Sequence, residues 1–446
     1  MTISKQWIEE WKRDAGGAFS AECAHAVDVF FIDGQLKLMS CGHASTWPEL
    51  VAWGFAVPVR RAFAAGARTV VLAFDDYSRV PSAKGMTQSG RVAHAAPLDA
   101  ELTHDNAPLP PELPVNVWGA CLLNRAFKTK VCRFICETLP QLITLDYGQR
   151  LILDHVGHPV EHGSAGANEL TEFGGRGECD VKFPRYARYG RMLLDSVDGD
   201  YLPIALLQLE RAGAGAADIS VLRYAVHTDK NGKRKKAPGA AKAKPAREHV
   251  HVNALLAGLR GAIARKVGPT ATAQSAGAEM RVLAALVVFT GCDFSKGLPY
   301  ISAARIWGSL GLVWATVARA LDAAAEDAAG ALEVAPVADR AIARLYCAAY
   351  ARHVSYTAGG MAAVAQRLKR GCALSEALRE RLPEAASVEC VVRNANWVLA
   401  YWAARDAYPE PLVPQFGYAR DARGRPAWAD SITAEPEGAA AGPAVH

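Results

Sequence analysis

Between Arg176 and Tyr201 the chain carries two acid pairs of identical spacing. Glu178 and Asp180 stand two apart; Asp198 and Asp200 repeat that spacing behind the β-like run Arg191 to Val197. The helix-like stretch Val181 to Tyr189 separates them, so one pair reads as a helix start and the other as a strand end. A parallel α/β sheet brings such places together in space. Four carboxylates in one small volume repel one another and would be destabilising unless compensated. Hard divalent cations such as Mg²⁺ resolve the conflict, because they take oxygen ligands and keep part of their water. Acid pairs also occur on solvated loops, so the other acids of the chain decide.

Two of these end apolar strands. Val27 to Asp33 (VDVFFID) reads as a buried parallel strand that closes on an acid and then Gly34. Thr69 to Phe74 (TVVLAF) delivers Asp75 and Asp76 in the same way. Functional groups in open α/β sheets gather beyond the carboxyl ends of strands, so Asp33 and Asp75 are well placed. Leu151 to Val156 is a third strand. A last acid, Asp293, follows the helix from Ala276 to Thr290 in a tight turn (FTGCDF).

Cations accompany the acids. Lys84, Gln88 and Arg91 follow i, i+4, i+7 and share one helix face. A cation, an amide and a guanidinium on one face can grip a phosphate; the same pattern also fits an ordinary solvated face. Trp118 to Leu139 is a helix with Arg125, Lys128, Lys130 and Arg133 among apolar residues, either lining a nucleic-acid channel or packing half-exposed. Lys230 to Arg247 (KNGKRKKAPGAAKAKPAR) is low-complexity and basic. It reads as a mobile hairpin tip meeting phosphate backbone, a nuclear-localisation patch or a solubilising loop.

The elements that must position these groups fit in 446 residues, enough for two or three domains. Hydrophobic content of 51% and charged content of 21% describe a globular rather than a disordered chain. The ten cysteines form no CxxC pair, which signals neither zinc nor a disulfide framework and fits a reducing intracellular compartment, nucleus or cytoplasm. MTISKQWIEEWKRDAGG reads as a charged amphipathic helix rather than a signal peptide. No apolar run reaches about 18 residues, so no membrane span and no membrane partner are expected. Residues 157–177 and 227–248 read as insertions or loops, 301–430 as an Ala-rich helical region and 431–446 as a disordered tail.

In their order these segments resemble the flap endonuclease and 5′→3′ exonuclease superfamily, which includes XPG-type nucleases, XRN-type exoribonucleases and flap-endonuclease-like proteins of large DNA viruses. FFIDG is similar to the family's first strand, and VVLAFDDYSRVPSAKGMTQSGR to its second strand and phosphate-binding helix. GECD resembles its paired-acid motif, LLDSVDGDYLPIAL its Asp-x-Asp motif, and FTGCDFSKGLP its last acid. The likeness covers roughly residues 27 to 300. It implies an α/β fold: a PIN-like nuclease core over 1–300 with a central, mainly parallel sheet flanked by helices, then the C-terminal helical region. It also implies two Mg²⁺ or Mn²⁺ ions. Glu178, Asp180 and Asp198 would dominate one, Asp200 and Asp293 would hold the second, and Asp33 and Asp75 would complete or bridge the set. Lys84, Gln88 and Arg91 would grip the scissile or terminal phosphate. The implied activity is a metal-dependent 5′ nuclease, and the implied partner is nucleic acid, as a DNA flap, junction or single strand, or as RNA.

The departures from the family matter too. Met39 stands where a stacking ring is common, six residues after the first acid. Asp76 replaces a glycine, and the spacing to Lys84 is long, so Asp75 and Asp76 could exchange roles. Residues 297 to 302 (GLPYIS) supply only the first glycine of the duplex-gripping turn, and GCDFSKGLP is closer to the XRN version. An XRN-like 5′→3′ exoribonuclease and a catalytically silent nucleic-acid scaffold are therefore the alternatives on this fold. A Mg²⁺-dependent phosphotransferase or phosphatase is a third, opposed by the missing P-loop and the basic insertion.

Overall fold

Two compact units divide the chain: Met1–Ala264 with Ala400–Pro409, and Arg265–Leu399 with Glu410–His446. The computed structural model describes residues 3–23, 25–76, 109–164, 166–173, 177–213, 218–224, 247–269, 277–292, 298, 301–326, 334–350, 385–403, 418–420 and 426–428. The tip of the basic stretch and the 431–446 tail lie outside them.

The first unit is α/β. Its strands are β1 (Phe19–Ser20), β2 (Val29–Asp33), β3 (Thr69–Ala73), β4 (Arg150–Asp154), β5 (Val160–Gly163), β6 (Gly166–Glu169), β7 (Met192–Asp195), β8 (Ile219–Tyr224) and β9 (Arg247–His251). They form one sheet in the order β1-β9-β8-β7-β2-β3-β4-β5-β6. The centre, β8-β7-β2-β3-β4, is parallel. Both flanks are antiparallel, so the sheet as a whole is mixed rather than mainly parallel. On the β4 side connection length explains this: β4, β5 and β6 follow one another too closely for a crossover, and only antiparallel neighbours accept such short links. Residues 157–177 thus contain a hairpin that extends the sheet, not only a loop. The strands β8 and β9 are the two antiparallel arms that flank the basic stretch.

Alternation along the strands builds a layer on each face of the sheet. Ile32, Val70, Leu72, Leu151 and Leu153 enter one core with Leu50, Val59, Phe127, Val131 and Ile135. These partners come from the helices Trp47–Val51, Val57–Ala64 and Arg125–Leu142. On the opposite face the Phe31 ring meets Phe183, Tyr186 and Tyr201 at centroid distances of 6.3, 6.1 and 6.5 Å. Each large apolar side chain buried this way contributes about 1.5–3 kcal/mol.

From β2 the chain steps outward to β3 and β4, then returns to the other side of β2 for β7 and β8. The strand order therefore reverses between β2 and β7. In open α/β sheets ligands bind beyond the carboxyl ends of strands at such a switch point.

Among its described residues the second unit, which begins at Arg265, is largely helical: Glu279–Thr290, Ala303–Gly308, Leu310–Glu326, Val334–Tyr350 and most of Ala385–Ala403. Trp307, Trp314 and Tyr346 are buried in it. A small ribbon, Tyr418–Arg420 against Pro426–Trp428, is an unexpected addition. No described helix is long and apolar enough to cross a membrane.

Candidate functional site

The switch point gathers acids. Asp33 ends β2 and caps the helix Gly34–Ser40: its Oδ1 accepts from Leu36 N–H at 3.0 Å. Gly34 is required there, since a Cβ would stand 2.7 Å from Ala73 O and 2.6 Å from the Phe74 ring. Asp33 Oδ2 accepts from Ser196 Oγ at 3.0 Å. The same Ser196 oxygen accepts from Asp198 N–H at 3.2 Å, and Asp198 Oδ1 accepts from Asp200 N–H at 3.1 Å. One serine, one residue past β7, thus joins the acid of β2 to the Asp-x-Asp turn.

The first acid pair is stitched to the end of β3. Glu178 is the N-cap residue of the short helix Cys179–Lys182. Cys179 N–H donates to Asp75 Oδ1 at 2.8 Å, Cys179 Sγ donates to Ala73 O at 3.2 Å, and Asp76 N–H donates to Gly177 O at 3.0 Å. Gly177 has φ 116°, a conformation that glycine adopts without strain. Glu178 N–H donates to Tyr401 Oη at 3.2 Å. Beyond Lys182 the chain tightens into the 3₁₀ segment Phe183–Tyr189, where Pro184 removes a helical donor, so the expected continuous helix over Val181 to Tyr189 is two elements.

A lysine locks this arrangement from beneath. Lys182 Nζ donates to Asp154 Oδ1 and to Phe74 O, both at 2.7 Å, and to His155 O at 3.2 Å. Tyr186 Oη donates to Asp154 Oδ2 at 2.6 Å, and both Lys182 and Asp154 are fully buried. The same cation therefore closes the ends of β3 and β4 and anchors the helix that follows Glu178.

Electrostatics records the crowding. Burial lifts Asp33 from 3.8 to about 6, and the Asp75 and Asp198 carboxylates add to the rise, against the hydrogen bonds from Leu36 and Ser196. Burial pushes the Cys179 thiol far up, with Asp33 and Asp75 contributing. Tyr201 moves the same way through burial, Asp33, Cys179 and Asp180. Burial lowers Lys128, which Asp75 and Glu178 pull back up. The negative potential of Asp33, Asp75, Glu178, Asp180 and Asp198 is therefore felt within one region. Asp33, Asp76, Glu178, Asp180 and Asp200 are buried there, while Asp75 and Asp198 are half-buried.

Six of the seven predicted acids are thus described in the first unit, around the ends of β2, β3 and β7. Asp293, Lys84, Gln88 and Arg91 lie outside the described residues. Among the described residues no three His, Cys, Asp or Glu side chains converge closely enough to enclose an ion as they stand. The donor chemistry nevertheless suits one: an all-oxygen carboxylate set, largely buried and mutually repelling, matches a hard divalent cation. Ser196, Lys182, Asp154 and Tyr186 escaped sequence reasoning. Only Ser196 left a signal, as the hydroxyl two residues before Asp198 in LLDSVDGD. Compared with known proteins, the chain matches no family model and no curated protein sequence.

Proposed function

We propose that the first unit is a metal-dependent 5′ nuclease that hydrolyses phosphodiester bonds of nucleic acid. The observation that carries this reading is the crowding of carboxylates at the sheet's switch point, where burial and like charge raise Asp33 to about 6. Such a group of acids is poorly suited to bind a phosphate alone and well suited to do so through cations. Glu178, Asp180 and Asp198 would hold one Mg²⁺ or Mn²⁺, Asp200 would contribute to a second, and Asp33 and Asp75 would complete the set. Two such ions supply an activated water and neutralise charge on the attacking and leaving oxygens. The chain's own residues position the set. Ser196 fixes the Asp33 carboxylate relative to the Asp198 backbone, Asp75 holds the start of the Glu178 helix, and Lys182 ties that helix to the sheet. Lys84, Gln88 and Arg91 would grip the scissile or terminal phosphate.

The test is a cleavage panel in Mg²⁺ or EDTA with labelled single-stranded RNA, single-stranded DNA and 5′-flap DNA, each with phosphate or hydroxyl at the 5′ end. Chelator-sensitive cutting at the flap junction makes it a flap endonuclease. Stepwise shortening of 5′-phosphorylated RNA makes it an XRN-like exoribonuclease. Binding without cutting under every condition overturns the enzyme reading and leaves a scaffold.

A further inference from the structure

A cavity of about 300 Å³ opens at the far end of the helix Gly34–Ser40, lined by Cys41, His43, Glu49, Leu50, Trp53 and Gly54 among others. We propose that it is a stacking pocket for one unpaired nucleobase, with the Trp53 indole as its platform; this rests on the nucleic-acid reading above and names a base subsite for it. Trp53 is 70% exposed, whereas Trp7, Trp11, Trp47, Trp118, Trp314 and Trp402 are all buried. An indole left in water at the mouth of a cavity is a surface for a flat partner. The backbone presents it deliberately: Ala52–Ala56 is a π-helical turn, a local widening that is frequent at functional sites.

The walls select the occupant. Leu50 and Cys41 are buried at the back, and the Cys41 thiol is pushed up to about 11 by burial, so it packs as an apolar group. It passes so close to Gly54 that a Cβ there would fall 2.4 Å from the sulfur. Glu49 is held at the rim: its Oε2 accepts from Ser45 N–H at 2.9 Å, and its own N–H donates to Thr46 Oγ1 at 3.3 Å. Its other carboxylate oxygen would accept from a ring or exocyclic N–H of a base, as carboxylates do with the cytosine amino group. The same negative charge disfavours a phosphate. A volume at the low end of ligand pockets suits one ring system rather than a folded partner.

Position agrees with the chemistry. Asp33 caps the start of Gly34–Ser40 and Cys41 caps its end, so the pocket lies about 10–12 Å along that helix from the acid. At about 3.4 Å per stacked nucleotide, this spans some three nucleotides. The base bound at Trp53 would belong to the strand whose backbone meets the acids.

The experiment measures binding of the full chain to a fluorescent single-stranded DNA 15-mer in EDTA, using a series abasic at each successive position. On the intact strand, Trp53→Ala is expected to weaken binding about 5- to 100-fold, the range for loss of one aromatic stack. Trp53→Phe should keep most of the affinity, and Glu49→Gln should change which base is preferred. On one member of the abasic series, Trp53→Ala should cause no further loss. Equal binding of wild type and Trp53→Ala to the intact strand, or the same loss on every abasic strand, overturns the pocket. Cleavage in Mg²⁺ is scored separately. Binding that follows the predicted pattern without any cleavage removes the nuclease reading and keeps the pocket, and cleavage with an indifferent Trp53 does the reverse.

Discussion

Asp154 and Asp33 end strands of the same sheet, on β4 and β2, and both are buried, yet they are satisfied in opposite ways. Asp154 meets a cation, the Lys182 ammonium, and a phenol, Tyr186. Asp33 meets neutral donors, Leu36 N–H and Ser196 Oγ, and faces the like charges of Asp75 and Asp198. The first acid is architecture, neutralised within the chain. The second sits where the fold concentrates negative charge, and such spending of stability on crowded acids is what functional sites show. Asp195 extends the contrast. It ends β7 beside the crowded acids but is bridged by Lys37 at 2.7 Å and Arg247 at 2.9 Å, which places it with Asp154.

The largest effect should come from breaking the paired corner. Lys182→Met leaves Asp154 charged and buried, and removing one partner of a buried ion pair costs about 3–5 kcal/mol. Urea unfolding should show that loss, and Lys182→Met combined with Asp154→Leu should recover most of it. A single mutant as stable as wild type would make Asp154 no different from Asp33.

The crowded corner should respond in activity instead. Glu178→Gln or Asp198→Asn should lower the cleavage rate in Mg²⁺ by about 10²–10³-fold, the usual cost of removing one preorganised electrostatic group. Binding measured in EDTA should stay equal or tighten, because repulsion of the phosphate falls. Full activity in either variant removes that acid from the proposed ion site.

Acid titration distinguishes the corners by sign. His155 lies beside Lys182, and burial with that charge lowers it from 6.5 to about 3. The unfolded chain takes this proton below about 6.5 and the folded one only near 3, so His155 makes stability fall as pH falls through that window. Asp33 runs the other way. Folded, it binds a proton near 6, and unfolded near 3.8, so its contribution to stability falls as pH rises between those values. Each slope reaches about 1.4 kcal/mol per pH unit at most. Relative to wild type in EDTA, His155→Gln should therefore lose stability as pH rises from 4 to 6, and Asp33→Asn should gain it. Parallel curves for the two variants would abolish the distinction.

Much of the crowded corner was legible because its parts announce themselves locally. An apolar run that closes on an acid, as in VFFID, is both a buried strand and a placed carboxylate, and Asp33 and Asp75 followed from that. Behind Asp200 the apolar run Pro203 to Leu209 reads as a helix, which the structure extends to Tyr201–Ala212. The paired corner was not legible, since the bond from Lys182 to Asp154 spans 28 residues and neither sequence context marks it. Local polar chemistry also moved boundaries. The helix expected from Trp118 to Leu139 has its main segment at Arg125–Leu142, because Asn124 caps it by accepting from Phe127 N–H at 3.0 Å. The hairpin of β5 and β6 hid in half-buried and exposed polar residues with glycines, which carry no apolar period.

Ser196 joins the two strands that bear the crowded acids, and its removal should give the smallest effect. It donates to Asp33 Oδ2 and accepts from Asp198 N–H, so its part in the proposed site is to hold the two acids in register. Groups that orient ligands in this way contribute about 10–100-fold to affinity or rate. Ser196→Ala should fall near the lower end, because Asp33 keeps the Leu36 bond and Asp198 keeps its link to Asp200. It should also move the acidic limb of the cleavage profile to higher pH, since Asp33 loses a donor that favours its charged form. Ser196→Thr keeps the hydroxyl and should restore both rate and profile. A rate loss with an unmoved profile would mean that the serine supports the turn alone, and that the acid of β2 is not coupled to the Asp-x-Asp pair through it.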